Sequence, residues 1–234
     1  MSTYLAVDTA TEACSVAVAV DGAVRERFEP MQREHTQKLL PMIQAVLAEA
    51  GTSVARLDGI VCGVGPGSFA GLRIGVGVVK GLALARDLPV AGVSSLAMLS
   101  QRAMRLGGAA QVAAIIDARM NEVYFGAYRR GVGGLAEAVL ADRVCAPAGV
   151  PALPGGSWAG AGTGWARHEA ALRSALKGTL ATPDPRALPH AEEALALGVP
   201  VLAAGRGQSA DDLAPAYLRD RVALTVQEQA SLRR

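Results

Sequence analysis

An apolar strand that ends in aspartate and turns back into a second strand occurs twice in this chain, at residues 4–8 and again at residues 111–117. This recurrence limits the fold more than any other feature. The first copy continues through an alternating strand at 14–20, a two-residue Asp21-Gly22 turn and a strand at 23–28, which together make an antiparallel meander. Over residues 36–50, Leu39, Leu40, Ile43, Val46 and Leu47 recur at three- and four-residue spacing, so a helix is expected there, bent near Pro41 and stopped by Gly51. A buried strand at 59–64 follows, then a Gly65-Pro66-Gly67-Ser68 loop and a helix over 69–86 capped by Ser68. A strand at 89–93 and a helix over 96–106, capped by Ser94 or Ser95 and ended by Gly107-Gly108, complete the first half. In the second copy the turn leads to a strand at 123–128. Helices are expected at 165–176 and 191–204, but after Ala146 proline, glycine and alanine obscure the strand order.

Three antiparallel strands followed by parallel strands with crossover helices, repeated once, describe an α/β fold of the actin-like superfamily, whose halves are ribonuclease-H-like. The expected division is an N-terminal unit at 1–108 and a degenerate C-terminal unit at 109–234.

Composition narrows the function classes. Of 234 residues, 51% are hydrophobic and 19% charged, enough apolar mass for one or two cores and no sign of disorder. The 23 basic and 21 acidic residues are dispersed, so no basic block marks an autonomous nucleic-acid binder, and any such contact is expected to be shared with another molecule. Cys14, Cys62 and Cys145 are odd in number and far apart, which argues against zinc, redox pairs and disulfides and for buried thiols in the cytoplasm. Asp8 and Glu12 interrupt the N-terminal apolar stretch, and Pro66, Arg73 and Lys80 break residues 59–85, so neither a secretion signal nor a membrane span is expected.

The candidate chemistry concentrates on one loop. Gly65-Pro66-Gly67-Ser68-Phe69-Ala70, between a strand and a helix, fits a relaxed dinucleotide fingerprint whose amides favour phosphate, and it fits equally a tight turn with a capped helix. Asp8, Thr9, Gly65, Gly67 and Ser68 are the candidate phosphate or nucleotide contacts. Asp8 either orients a metal or phosphate or caps the following turn. A P-loop is excluded because Lys80 lies too deep in the helix, and a serine elbow because Pro66 and Ala70 stand where glycines are needed. His35, His168 and His190 have no histidine four residues away, so no helical metal pair is expected. His35 is read either as partner-facing or as buried and hydrogen-bonded. Helix 69–86 carries Gly71, Gly75, Gly77 and Gly81, each costing about 1 kcal/mol relative to alanine, which calls for close packing against this chain or another.

Several segments together identify a family. Asp8-Thr9-Ala10-Thr11-Glu12-Ala13-Cys14-Ser15-Val16, Arg33-Glu34-His35-Thr36-Gln37, the run from Gly65 to Gly75 against GPGSFTGxRIG, the run from Asp117 to Tyr124 against DARMxEVY, and Pro215-Ala216-Tyr217-Leu218-Arg219 resemble the TsaB (YeaZ) family in order along the chain. The resemblance implies a non-catalytic partner of the paralogue TsaD in forming threonylcarbamoyladenosine on tRNA, acting with the ATPase TsaE. It further implies that ATP and metal sit in the partners and none on this chain, that tRNA is met indirectly, and that the chain alone forms a homodimer. The partner surface it implies lies on the helices at 36–50 and 69–86, with His35, Leu39, Met42, Ile43, Arg73, Ile74 and Val78 as candidates. Two departures stand out: Ala70 replaces a threonine, and Val222-Ala223-Leu224-Thr225 lacks the aromatic and basic residues of relatives. A glycoprotease-like peptidase and a small-molecule kinase are the alternative readings.

Overall fold

The computed structural model describes residues 2–31, 33–177 and 179–219; Val222 to Thr225 lie outside the described residues. Strands β1 (Thr3–Asp8), β2 (Ala13–Val20) and β3 (Ala23–Pro30) form the meander and are followed by α1 (His35–Glu49), β4 (Gly59–Gly65), α2 (Phe69–Leu84), β5 (Val90–Ser94) and α3 (Ser95–Gly107). Then come β6 (Gln111–Asp117), β7 (Val123–Arg130), β8 (Ala136–Cys145), β9 (Ser157–Ala161), α4 (Gly164–Leu176), β10 (Thr179–Leu180) and α5 (Ala191–Ala203). The strands make two five-stranded sheets, ordered β3-β2-β1-β4-β5 and β10-β9-β6-β7-β8. Reversed, the second order is the first one over again, with β6 in the place of β1. In each sheet the first strand pairs antiparallel with the second and parallel with the fourth.

Alternation along β1 and β2 explains why both faces of the first sheet need cover. Leu5 and Val7, opposite Val18 and Val16, point to one face and meet Leu39, Ile43 and Val46 of α1 and Val76 and Val79 of α2. Ala6 and Ala17 point to the other face and meet Ala191, Ala194 and Leu195 of α5, with Met98 of α3. In the second sheet Ile115 and Phe125 pack on Trp165 and Leu172 of α4, while Val112, Ala114 and Tyr128 pack on Leu96, Leu99 and Met104 of α3. Each sheet is thus completed by a helix from the far side of the chain: α3 precedes the second sheet and covers it, and α5 follows the second sheet and covers the first.

Local chemistry sets the boundaries. Ser94 caps α3 by accepting from the Leu96 and Ala97 amides at 3.1 and 3.3 Å, and left-handed Gly108 ends it. Ser95 is helical and buried. Helix α2 stops at Leu84, two residues earlier than expected, and Asp87 turns the chain with φ +50°. No helix among the described residues is long and apolar enough to cross a membrane.

Candidate functional site: an inter-sheet cleft and an exposed helical face

The turn between β1 and β2 meets the start of α2 with backbone touching backbone. Ser68 N donates to Ala10 O at 2.6 Å, and Thr9 Oγ1 donates to Gly71 O at 2.7 Å. Ser68 Oγ accepts from Gly71 N at 3.3 Å, which makes Ser68 the cap expected of it. A Cβ on Gly67 would lie 2.1 Å from Ala10 O and one on Gly71 2.1 Å from Thr9 O, so both positions admit only hydrogen. A Cβ on Gly75 would likewise lie 2.4 Å from Thr9 Oγ1, so three of the loop and helix glycines serve this contact within the chain.

The structure brings Asp8, Thr9, Gly65, Gly67 and Ser68 together and buries the first three. Asp8 is 1% exposed; its Oδ2 accepts from Ala10 N at 3.4 Å and its Oδ1 has no hydrogen-bond partner. Burial pushes its carboxyl up to about 7. Gly63 makes room for that carboxylate, since a Cβ there would sit 1.9 Å from Oδ1. Thr9 and Gly65 are buried too, so only Gly67 and Ser68 of the five reach a cleft. For Asp8, Thr9 and Gly65 the expectation of an open phosphate contact is corrected: α2 closes over the turn, Ser68 N taking the Ala10 carbonyl and Gly71 O accepting from the Thr9 hydroxyl. Burial also pushes up the thiols of Cys14, to about 12, and Cys62.

The cleft opens beside this seam, with a volume of about 810 Å³. Residues 10–12 and the start of α2 form one wall, the β6–β7 turn at Asp117–Met120 faces it, and residues 216–219 border it. Arg119, Met120 and Asn121 all have left-handed backbones (φ +62°, +52° and +59°). Asp117 holds the turn by accepting from the Arg119 amide at 3.0 Å, and Arg219 latches it by donating to Ala118 O at 2.9 Å and to Glu122 Oε2 at 2.5 Å. Tyr217 stands against Phe69 with ring centroids 5.7 Å apart, and Arg73 lies 3.9 Å over the Phe69 ring while donating to the Tyr217 hydroxyl at 3.2 Å. Among the described residues no group of three His, Cys, Asp or Glu is placed to hold a metal ion.

Of the interface candidates, the structure separates two sets. Leu39, Met42 and Ile43 are 0%, 3% and 2% exposed and pack into the first core, and His35 is buried with Nε2 3.2 Å from Ala13 O. Their expectation as partner-facing residues is corrected: the periodicity that selected them is that of the face α1 needs for its own sheet. Arg73 is exposed, and Ile74 and Val78 are half-buried. Also exposed are Leu40 on α1 and Phe69 and Leu84 on α2. Gly77 and Gly81 share this outer face, and a Cβ on either would meet nothing within 4 Å.

Two like-ordered mixed sheets facing a cleft across their first turns define a duplicated ribonuclease-H-like α/β protein of the actin-like superfamily. The family described as TsaD, tRNA N6-adenosine threonylcarbamoyltransferase, matches residues 29–225. The tRNA threonylcarbamoyladenosine biosynthesis protein TsaB of Escherichia coli K12 is 41% identical over 94% of this chain and 95% of its own length, and that of Haemophilus influenzae is 38% identical over 94% of each. A crystal structure from Pseudomonas aeruginosa, described as an uncharacterized protein with similarity to peptidase YeaZ, superposes with a TM-score of 0.87 at 45% identity over 94% of this chain and all of the other. The chain belongs to the TsaB (YeaZ) family.

Proposed function

We propose that this chain acts in tRNA threonylcarbamoyladenosine biosynthesis as a non-catalytic, cytoplasmic partner that binds and activates TsaD, with TsaE as the ATPase. In this reading ATP, metal and the transfer chemistry belong to the partners, and tRNA meets this chain indirectly. The partner helices belong to the unit at 1–108, and 109–234 supports them. The names of the full-length relatives support the pathway. The observation that carries the non-catalytic role is the seam at Gly67 and Gly71, where α2 occupies the turn that a phosphate would have to approach. The surface on offer is the outer face of α2 and the adjoining edge of α1: Leu40, Arg73, Ile74, Gly77, Val78 and Gly81. A homodimer through the same face is part of the proposal, because an isologous patch on one paralogue can be reused by another.

Size exclusion with light scattering tests it, on the chain alone and mixed with the TsaD paralogue. Wild type should dimerise alone and form a heterodimer in the mixture. Ile74→Glu should abolish both while the chain still unfolds in one cooperative transition, at a somewhat lower Tm because Ile74 also packs against the first core. No complex with TsaD under any nucleotide condition overturns the reading.

A further inference from the structure

The segments at 117–124 and 215–219 lie outside the partner face of α2, yet they are joined to it. Residues 207–213 run along the first half: Gln208 exchanges amide bonds with Val90, Lys80 Nζ of α2 donates to Asp211 O at 3.0 Å, and Leu213 is buried in the first core. Ala216 N then donates to Val64 O of β4 at 2.7 Å. Beyond that anchor the chain crosses the cleft. Tyr217 holds the start of α2, its ring against Phe69 and its hydroxyl accepting from Arg73 Nε. Arg219 reaches the β6–β7 turn, donating to Ala118 O and Glu122 Oε2 with Nη1 3.6 Å from Met120 Sδ.

The two ends need this segment for different reasons. Arg119, Met120 and Asn121 form a left-handed run, a backbone that residues with side chains keep only where their surroundings over-determine it. The turn closes on itself through Ala118 N to Glu122 O and Glu122 N to Arg119 O, each 3.0 Å, and Arg219 fastens it from the opposite wall. At the other end Arg73 is exposed on the partner face, and its guanidinium is fixed by the Tyr217 hydroxyl and the Phe69 ring. A long side chain that is already held loses less freedom on binding than a free one.

We infer that residues 215–219 are a strap linking the β6–β7 turn to the start of α2, so that Glu122 and Arg219 are positioning residues that pre-organise Arg73 and Phe69 for the partner. Such a coupling is reciprocal: loosening either end loosens the other. The effect on binding rests on the proposed partnership with TsaD, whereas the linkage between the cleft walls does not.

Hydrogen exchange on the full chain tests the linkage, and calorimetric titration with the TsaD paralogue tests its use. Arg73→Ala, which removes no atom of the β6–β7 turn, should speed exchange of the Ala118 and Glu122 amides roughly threefold or more, as should Arg219→Gln. Arg86→Ala, beyond the far end of α2, should leave them unchanged. Glu122→Ala should weaken the TsaD complex roughly threefold to tenfold while the chain still unfolds cooperatively. Arg219→Lys, which keeps a cation beside Glu122, should lose less affinity than Arg219→Gln. A turn that does not respond to Arg73→Ala overturns the strap, even if Glu122→Ala weakens the complex, because Glu122 would then be a direct contact. Equal TsaD affinity for wild type and Glu122→Ala overturns the positioning role and leaves the partnership standing. If wild type forms no TsaD complex, the partnership fails and the exchange rates alone decide the strap.

Discussion

Four glycines in one helix ought to act alike if they were there for flexibility, and the structure divides them. In Gly71→Ala the new Cβ would meet the Thr9 carbonyl at 2.1 Å, and that neighbour is backbone and cannot rotate away. Forcing it apart costs about 1–3 kcal/mol of overpacking. The two bonds of the seam, Thr9 Oγ1 to Gly71 O and Ser68 N to Ala10 O, contribute about 1 kcal/mol each. Against this stands a gain of about 1 kcal/mol from helix propensity. The net loss is about 2–4 kcal/mol, which in a chain of this size lowers Tm by about 4–16 °C. Gly77→Ala meets nothing within 4 Å, so only the propensity gain remains and Tm should rise by about 2–4 °C. Calorimetric melts of the two variants decide the matter. Equal shifts, or a Gly71→Ala protein within 1 °C or so of wild type, would refute the division of the helix into a sealed and an open face. The open face supplies the second half of the test: Gly77→Ala with Gly81→Ala should stabilise the isolated chain yet weaken the complex with TsaD, since the added methyls stand where a partner backbone would approach.

Asp8 gives a pH signature. Its folded value is raised by burial from 3.8 to about 7, so between those values the folded state holds a proton that the unfolded chain releases, and stability falls as pH rises through the window. Asp8→Asn should flatten that slope, worth on the order of 2–3 kcal/mol between pH 5 and pH 8, in urea titrations at those two values; an unchanged slope would mean the carboxylate ionises freely. Glu193, whose side chain is fully buried, is held by Arg105 at 2.5 Å and faces Arg102 at 3.5 Å. Arg105→Ala leaves that acid poorly paired and should cost about 3 kcal/mol, and adding Glu193→Gln should restore most of it, as measured by the urea midpoint.

How much was legible follows from which residues carry local signals. The Asp21-Gly22 turn, the Ser68 and Gly108 helix ends and the period of α1 depend on near neighbours, and all appear where expected within a residue or two. Strand β8, by contrast, lies at a sheet edge with one face in solvent, so its sequence lacks a continuous apolar run, and β10 is two residues long. At the site, the glycine loop was visible but not what it touches: nothing in Gly67 or Gly71 says that the carbonyls of Thr9 and Ala10 lie against them. The α1 candidates turn to the core for a related reason. Leu39 and Ile43 are chosen by a periodicity that reports the core; Leu40, counted in the same run, stands on the surface, as do Phe69 and Leu84.

The exchange of α3 and α5 between the sheets bears on the proposed partnership. Without α5, Ala6, Ala17 and Val61 of the first sheet would face water, and without the second sheet α3 would expose Leu96, Leu99 and Met104. The two helices also meet each other through Arg105, Glu192 and Glu193, while Ser94 and Tyr128 share Asp142 across the junction at 2.5 Å each. Each half therefore completes the other's core, and residues 217–219 also join the cleft walls, Tyr217 accepting from Arg73 of α2 and Arg219 donating to Ala118 O and Glu122 of the β6–β7 turn. A chain fastened at both ends of its cleft is poorly suited to the wide opening and closing that a nucleotide cycle uses, and well suited to presenting α2 to a partner in one fixed attitude.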